Sequence, residues 1–172
     1  MQAARGGLAV RERALPALFS TATVAVAADQ ITKALAVARL HEGEPVRVID
    51  GAVRFTLERN PGAAFSLFRD VPQLFTVLAF AVSIAIIVLS PRVRRVPTAI
   101  ALGLVLGGAV GNLIDRLARS PGPFRGEVVD FIKFPHWPAF NVADAVVVAG
   151  AALIALDSLR GRDGSAHDRA PD

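Results

Sequence analysis

Apolar positions in this chain are gathered into long blocks separated by polar, turn-rich segments. Val71 to Pro91 and Val96 to Ile114 carry no charged residue, and Phe140 to Leu156 is apolar apart from Asn141 and Asp144. An earlier run from Ala14 to about Leu40 is interrupted only by Asp29, Gln30, Lys33 and Arg39 among small polar residues. Each block is long enough to cross a hydrocarbon core of about 30 Å at roughly 1.5 Å per helical residue. The pattern predicts four membrane helices over about 14–40, 71–90, 98–113 and 140–156. Residues 41–70 have a different texture. Val46-Arg47-Val48-Ile49 and Val53-Arg54-Phe55-Thr56-Leu57-Glu58 are rich in β-branched residues and alternate, with a break at Asp50-Gly51. That combination predicts a hairpin or small sheet between the first two helices. Asn60-Pro61-Gly62 is a turn signal, and 115–139 reads as a polar loop with Gly and Pro. The predicted fold class is therefore a mainly α membrane protein of four transmembrane helices with a small β-hairpin between helices 1 and 2. A basic segment, 1–13, precedes the helical domain at 14–157, and the charged tail 158–172 is expected to be disordered.

Composition agrees with clustering into spans. In 172 residues, 53% are hydrophobic and only 20% charged, which a soluble domain of this size would not bury. The net charge of +4 does not point to nucleic acid, because the arginines flank the spans. Arg92, Arg94 and Arg95 occupy the short loop between spans two and three, and the amino-terminal segment is also basic. By the positive-inside rule, both termini and this loop are expected in the cytoplasm, with 41–70 and 115–139 outside. Ala25-Val26-Ala27 resembles a signal-peptide cleavage site. Helix-compatible sequence beyond Ala28 favours a retained span. The absence of cysteine excludes disulfides and thiol nucleophiles.

With that alternation of helices, the unusual polar residues all fall toward one membrane face. Asp29 lies near the outer end of span one, and Asn60 just before span two. Asn112, Asp115 and Arg116 close span three, Asp130 lies in the second outer loop, and Asn141 and Asp144 open span four. Carboxylates beside membrane helices are costly and are functional candidates by default. Two that meet can share a proton and act as general acid and base. Asn141 also suits an N-cap with Asp144 at the third helical position, so capping is the simpler reading of Asp144 alone. Asp29 and Lys33 are spaced to pair on one helical face. Gly107 and Gly111 permit close approach of a neighbouring helix. His41, His136 and His167 lack an HExxH setting, Ser66 lacks a nucleophile elbow, and no phosphate-binding Gly loop occurs. No metal and no cofactor are expected. A small transporter using intramembrane carboxylates is the alternative reading, but it should place acids near the midplane or on both sides.

Five ordered segments carry a resemblance. Asp29-Gln30-Ile31-Thr32-Lys33, Asn60-Pro61-Gly62-Ala63-Ala64-Phe65, Gly107 through Arg116, Val128-Val129-Asp130-Phe131 and Phe140-Asn141-Val142-Ala143-Asp144 resemble the motifs of bacterial lipoprotein signal peptidase, signal peptidase II. The resemblance spans about residues 14–157 and departs at Pro61, where the family carries Thr or Tyr. It implies an intramembrane aspartyl endopeptidase of the cytoplasmic membrane with a small extracytoplasmic β-cradle at 41–70. Such an enzyme removes signal peptides from prolipoproteins, cutting before a diacylglyceryl-modified cysteine. The implied partners are that prolipoprotein, membrane lipid and globomycin-type inhibitors, with no nucleic acid. By position the resemblance makes Asp130 and Asp144 the catalytic pair, Asn60, Arg116 and Asn141 substrate- or inhibitor-contacting, and Asp29, Asn112 and Asp115 supporting. Asp115 is the rival to Asp130, because it too sits beside an apolar span, although its neighbour Arg116 suits it to an ion pair.

Overall fold

The computed structural model describes residues 2–49, 51–62 and 72–166. The element order is α1 (Gln2–Arg39), β1 (Val46–Ile49), β2 (Val53–Asn60), α2 (Pro72–Leu89), α3 (Val96–Ala118), β3 (Val128–Lys133) and α4 (Val142–Ala166). Four segments, Arg13–Arg39, Gln73–Arg92, Val96–Ala118 and Val142–Leu159, are long and apolar enough to cross a membrane. Helix α1 begins well before the predicted span, and α4 continues past its predicted end to Ala166. Helix α3 likewise runs on to Ala118. Asp50, Ala63-Ala64-Phe65, Ser66 and His167 lie outside the described residues.

Helix α3 is the central element, packed against α1, α4 and α2. Its glycines make this possible. A Cβ at Gly107 would stand 2.5 Å from that of Ala25 and 2.8 Å from the Ala22 carbonyl oxygen on α1. A Cβ at Gly108 would collide with the Ala143 carbonyl of α4. Gly111 sits where both neighbours converge, 2.6 Å from Asp29 Oδ2 and 3.4 Å from the Ala143 Cβ, measured from an added Cβ. The expected close approach at Gly107 and Gly111 is therefore realised on two sides of one helix. Ala14, Leu18, Ala22, Ile86, Ala99 and Leu106 form the buried apolar cluster below these contacts.

The predicted hairpin forms: β1 pairs antiparallel with β2, with Val46 opposite Phe55 and Arg47 opposite Arg54. A third strand completes the sheet in the order β1-β2-β3. Strand β3 comes from the segment predicted as a polar loop. Its Val128-Val129-Asp130-Phe131-Ile132 run has strand character, and pairing with β2 satisfies its backbone. Glu58 lies opposite Asp130 and Asn60 opposite Val128, so Asn60 and Asp130 share a face. A two-way backbone bridge between Ile132 and Phe140 then ties the sheet to the start of α4.

Candidate active site

The polar residues predicted to share one membrane face converge where α1, α3, β3 and the start of α4 meet. Asp144 is set by local sequence. Asn141 is the N-cap of α4, and its Oδ1 accepts the Asp144 N–H at 3.0 Å. In return Asp144 Oδ2 accepts the Asn141 N–H at 3.2 Å. This reciprocal capping satisfies two helix-start donors and places the carboxylate in the first turn, where the helix dipole favours it. The capping reading of Asp144 thus holds, and it coexists with membership of the cluster.

Asp130 is set by tertiary structure. The Asn141 Nδ2 donates to Asp130 Oδ1 at 2.7 Å, and the Asn60 Nδ2 donates to Asp130 Oδ2 at 2.9 Å. Asn60 is itself oriented by an Asx turn, its Oδ1 accepting the Gly62 N–H at 2.8 Å. Gly62 adopts φ 112°, a conformation that glycine tolerates. Asp130 is buried, and burial is the first reason that its carboxyl is pushed up to about 7. The nearby negative charge of Asp144 pushes in the same direction. The two asparagine amides and the Lys33 charge pull it back down. Asn141 touches both acids, through its backbone and side chain.

A second layer lies beneath. Asn112 Nδ2 donates to Asp144 Oδ1 at 2.8 Å, while Asn112 Oδ1 accepts from Lys33 Nζ at 2.8 Å and from Asn141 Nδ2 at 3.1 Å. The ammonium of Lys33 also pairs with Asp29 at 2.8 Å and Asp115 at 2.9 Å, all three side chains being wholly buried. Asp29 Oδ1 accepts the Ala143 N–H at 2.9 Å, so a residue of α1 caps α4. Asp115 is occupied on every side: Lys33, the Arg119 guanidinium at 2.7 Å and the Val129 N–H at 3.2 Å. That last bond holds β3 one residue from Asp130. Arg116 is buried with its guanidinium 5.8 Å from the Phe75 ring centre, near enough for Asp130, Asp115 and Asp144 to act on its charge.

All eight predicted site residues, Asp29, Asn60, Asn112, Asp115, Arg116, Asp130, Asn141 and Asp144, therefore belong to one constellation. Sequence reasoning paired Lys33 with Asp29 but gave it no place at the site. It also passed over Gln30, which donates to Asp29 Oδ2 at 3.1 Å and to the Gly111 carbonyl at 3.0 Å. Arg119 was readable from its helical spacing to Asp115. Among the described residues, no group of three or more His, Asp or Glu side chains is arranged to hold a metal.

The sequence profile of the family described as Signal peptidase (SPase) II matches residues 21–160. This chain belongs to the signal peptidase II family. It is 48% identical over 152 residues to the lipoprotein signal peptidase of Mycolicibacterium smegmatis, covering 88% of this chain and 65% of that one. The chain thus spans a little under two thirds of that relative's length. It is 46% identical to the lipoprotein signal peptidase of Mycobacterium avium, covering 88% of this chain and 83% of the relative. With the Streptomyces coelicolor lipoprotein signal peptidase the identity is 45%, covering 91% and 78%. Among solved structures, a bacterial membrane enzyme determined by the in meso method at 2.3 Å superimposes with a TM-score of 0.76 at 28% identity, covering 90% of this chain and 93% of that one. The signal peptidase II family is one of aspartic-type signal peptidases, and the four membrane-length helices make this member a multi-pass membrane protein.

Proposed function

We propose that Asp130 and Asp144 are the catalytic pair with which this signal peptidase II cuts a diacylglyceryl-modified prolipoprotein just before its lipidated cysteine. The observation that carries the reading is Asn141, which bonds to both acids and holds them as one unit. Two neighbouring carboxyls resist joint ionisation, so the pair retains one proton near neutrality. The ionised member takes a proton from water as its oxygen attacks the scissile carbonyl carbon. The protonated member stabilises the oxygen of the resulting tetrahedral centre. When the C–N bond breaks, the leaving nitrogen receives a proton from the pair, which returns to its starting state. Asp115 has the opposite character: its oxygens are committed to Lys33, Arg119 and the β3 backbone, which makes it a support. Arg116 and Asn60 border the acids and suit contact with the substrate backbone or a globomycin-type inhibitor.

The basic loop at Arg92, Arg94 and Arg95 and the basic amino-terminal segment support cytoplasmic termini and an extracytoplasmic site in the cytoplasmic membrane. The lipid chains of the substrate then lie in the bilayer beside the helices while the peptide reaches the acids. The test is cleavage of a lipidated precursor in vesicles by Asp130→Asn and Asp144→Asn, with globomycin as inhibitor of the parent enzyme. Both variants are expected to lose cleavage by several orders of magnitude. Near-normal turnover by either removes that residue from the pair.

A further inference from the structure

The segment between Lys133 and Asn141 has no part in the constellation, yet it is built with care. Phe134-Pro135-His136-Trp137-Pro138-Ala139-Phe140 contains no acid and no Lys or Arg. Its two ends are clamped together: the Ile132 N–H donates to the Phe140 carbonyl at 2.9 Å, and the Phe140 N–H donates back at 2.9 Å. Inside, the Trp137 N–H reaches the Phe134 carbonyl at 3.3 Å, and the Phe134 and Phe140 rings pack 5.4 Å apart. The turn therefore presents a fixed aromatic surface, with Trp137 59% and Phe134 42% exposed.

Exposed aromatic surface favours contact with an apolar phase, and the location of the turn says which. Phe140 is followed at once by the N-cap of α4, a helix that is itself long and apolar enough to cross the bilayer. The turn is thus joined directly to the start of that apolar helix and stands at its amino-terminal end. Trp is enriched at this boundary because its ring favours the apolar side while its indole N–H favours the wet one. We infer that the Phe134–Phe140 turn is a membrane-interface anchor that embeds Trp137 and Phe134 among the headgroups and upper acyl chains of the leaflet that α4 meets at Asn141. The consequence concerns both acids. Phe131 and Ile132 follow Asp130 directly on β3, and Phe140 precedes Asn141, so one lipid contact sets the height of Asp130 and Asp144 together. This second step rests on the reading of those residues as the catalytic pair, whereas the lipid contact does not.

Trp137 is the sole tryptophan of the chain, so the native protein carries its own reporter. The full-length protein is reconstituted in phosphatidylcholine vesicles whose lipids are brominated either just below the headgroup or near the chain terminus, and emission is also titrated with aqueous iodide. The expected result is loss of most of the emission with shallow bromines, less with deep ones, and little with iodide. The same pattern is expected for Asp130→Asn protein, which separates the contact from catalysis. Phe134→Ser is expected to shift Trp137 toward iodide and away from bromine. With Trp137→Ser, the KM for a lipidated precursor is expected to rise in vesicles while kcat in detergent stays near that of the parent. Strong iodide quenching with no response to brominated lipid overturns the proposal. So does bromine quenching that appears only on dilution of the protein or is displaced by precursor peptide, since a protein partner then covers the turn.

Discussion

The Lys33 ammonium lies 2.8 Å from Asn112 Oδ1, on the opposite end of that amide from Asp144. An ammonium only donates, so it fixes which end of Asn112 faces it and turns the Nδ2 toward Asp144. The direction of hydrogen bonding across the site thus begins at a residue that touches neither proposed catalytic acid. Lys33→Met is expected to lower kcat on the order of 10²-fold, as for other small misplacements at a reacting centre, with KM little changed. Leaving Asp29 and Asp115 without this partner should also cost about 3–5 kcal/mol of stability. Steady-state kinetics on a lipidated precursor and thermal unfolding in detergent check both, and an unchanged kcat would sink the positioning role.

The raised Asp130 carboxyl makes a prediction about pH. Between its ordinary value of 3.8 and about 7, the folded protein holds a proton that the unfolded chain has released. Stability contributed by this group is therefore present at low pH and falls as pH rises through that window. Asp130→Asn should flatten this slope and unfold at a higher temperature than the parent near pH 7. The activity of the parent should fall on the alkaline side with a midpoint near the same value, as the pair loses its shared proton. Melting curves and kcat/KM measured from acid to mildly alkaline pH test the two limbs separately.

Asp115 and Asp130 should part company when each is changed to asparagine. Asp115→Asn removes the charge that faces Lys33 and Arg119 in a buried network and should cost on the order of 3 kcal/mol. Asp130→Asn removes a carboxyl that burial already disfavours in its charged form, and should abolish cleavage without that loss. Equal drops in melting temperature for the two variants would contradict the division between support and chemistry.

Gly111 is a further point of failure. An added methyl would lie 2.6 Å from Asp29 Oδ2, the carboxylate that caps α4 through Ala143. Gly111→Ala is expected to cost about 1–3 kcal/mol by overpacking and to reduce turnover by displacing the start of α4. In a double-mutant cycle, a smaller cost of Gly111→Ala in the Asp29→Ala background than in the parent would show that the clash acts through that side chain. An unchanged cost would place it elsewhere.

The four spans and the one-sided gathering of polar residues were legible because helices impose a regular period and alternate in direction. The Asn141–Asp144 cap and the Asp29–Lys33 pair were legible for the same reason, being three and four residues apart on one helix. Strand β3 was not, because its pairing partner is β2, far away in the chain, and a short Val-Val-Asp-Phe-Ile run beside Gly and Pro gives little periodicity. The full partnership of Lys33 with Asp115 and Asn112 was hidden likewise, since it depends on how closely the glycines of α3 let α1 approach.

The reciprocal bonds between Asn141 and Asp144 have a bearing on drug resistance. Asp144 cannot swing aside without releasing the Asn141 N–H at the start of a membrane helix and the Asn112 amide beneath it. A compound that grips both acids therefore meets a target whose geometry is bound up with the integrity of α4. Escape by substitution within that first turn would sacrifice the helix start along with the drug contact, so tolerated resistance changes should arise around the site's rim, at positions that meet the compound but hold neither acid.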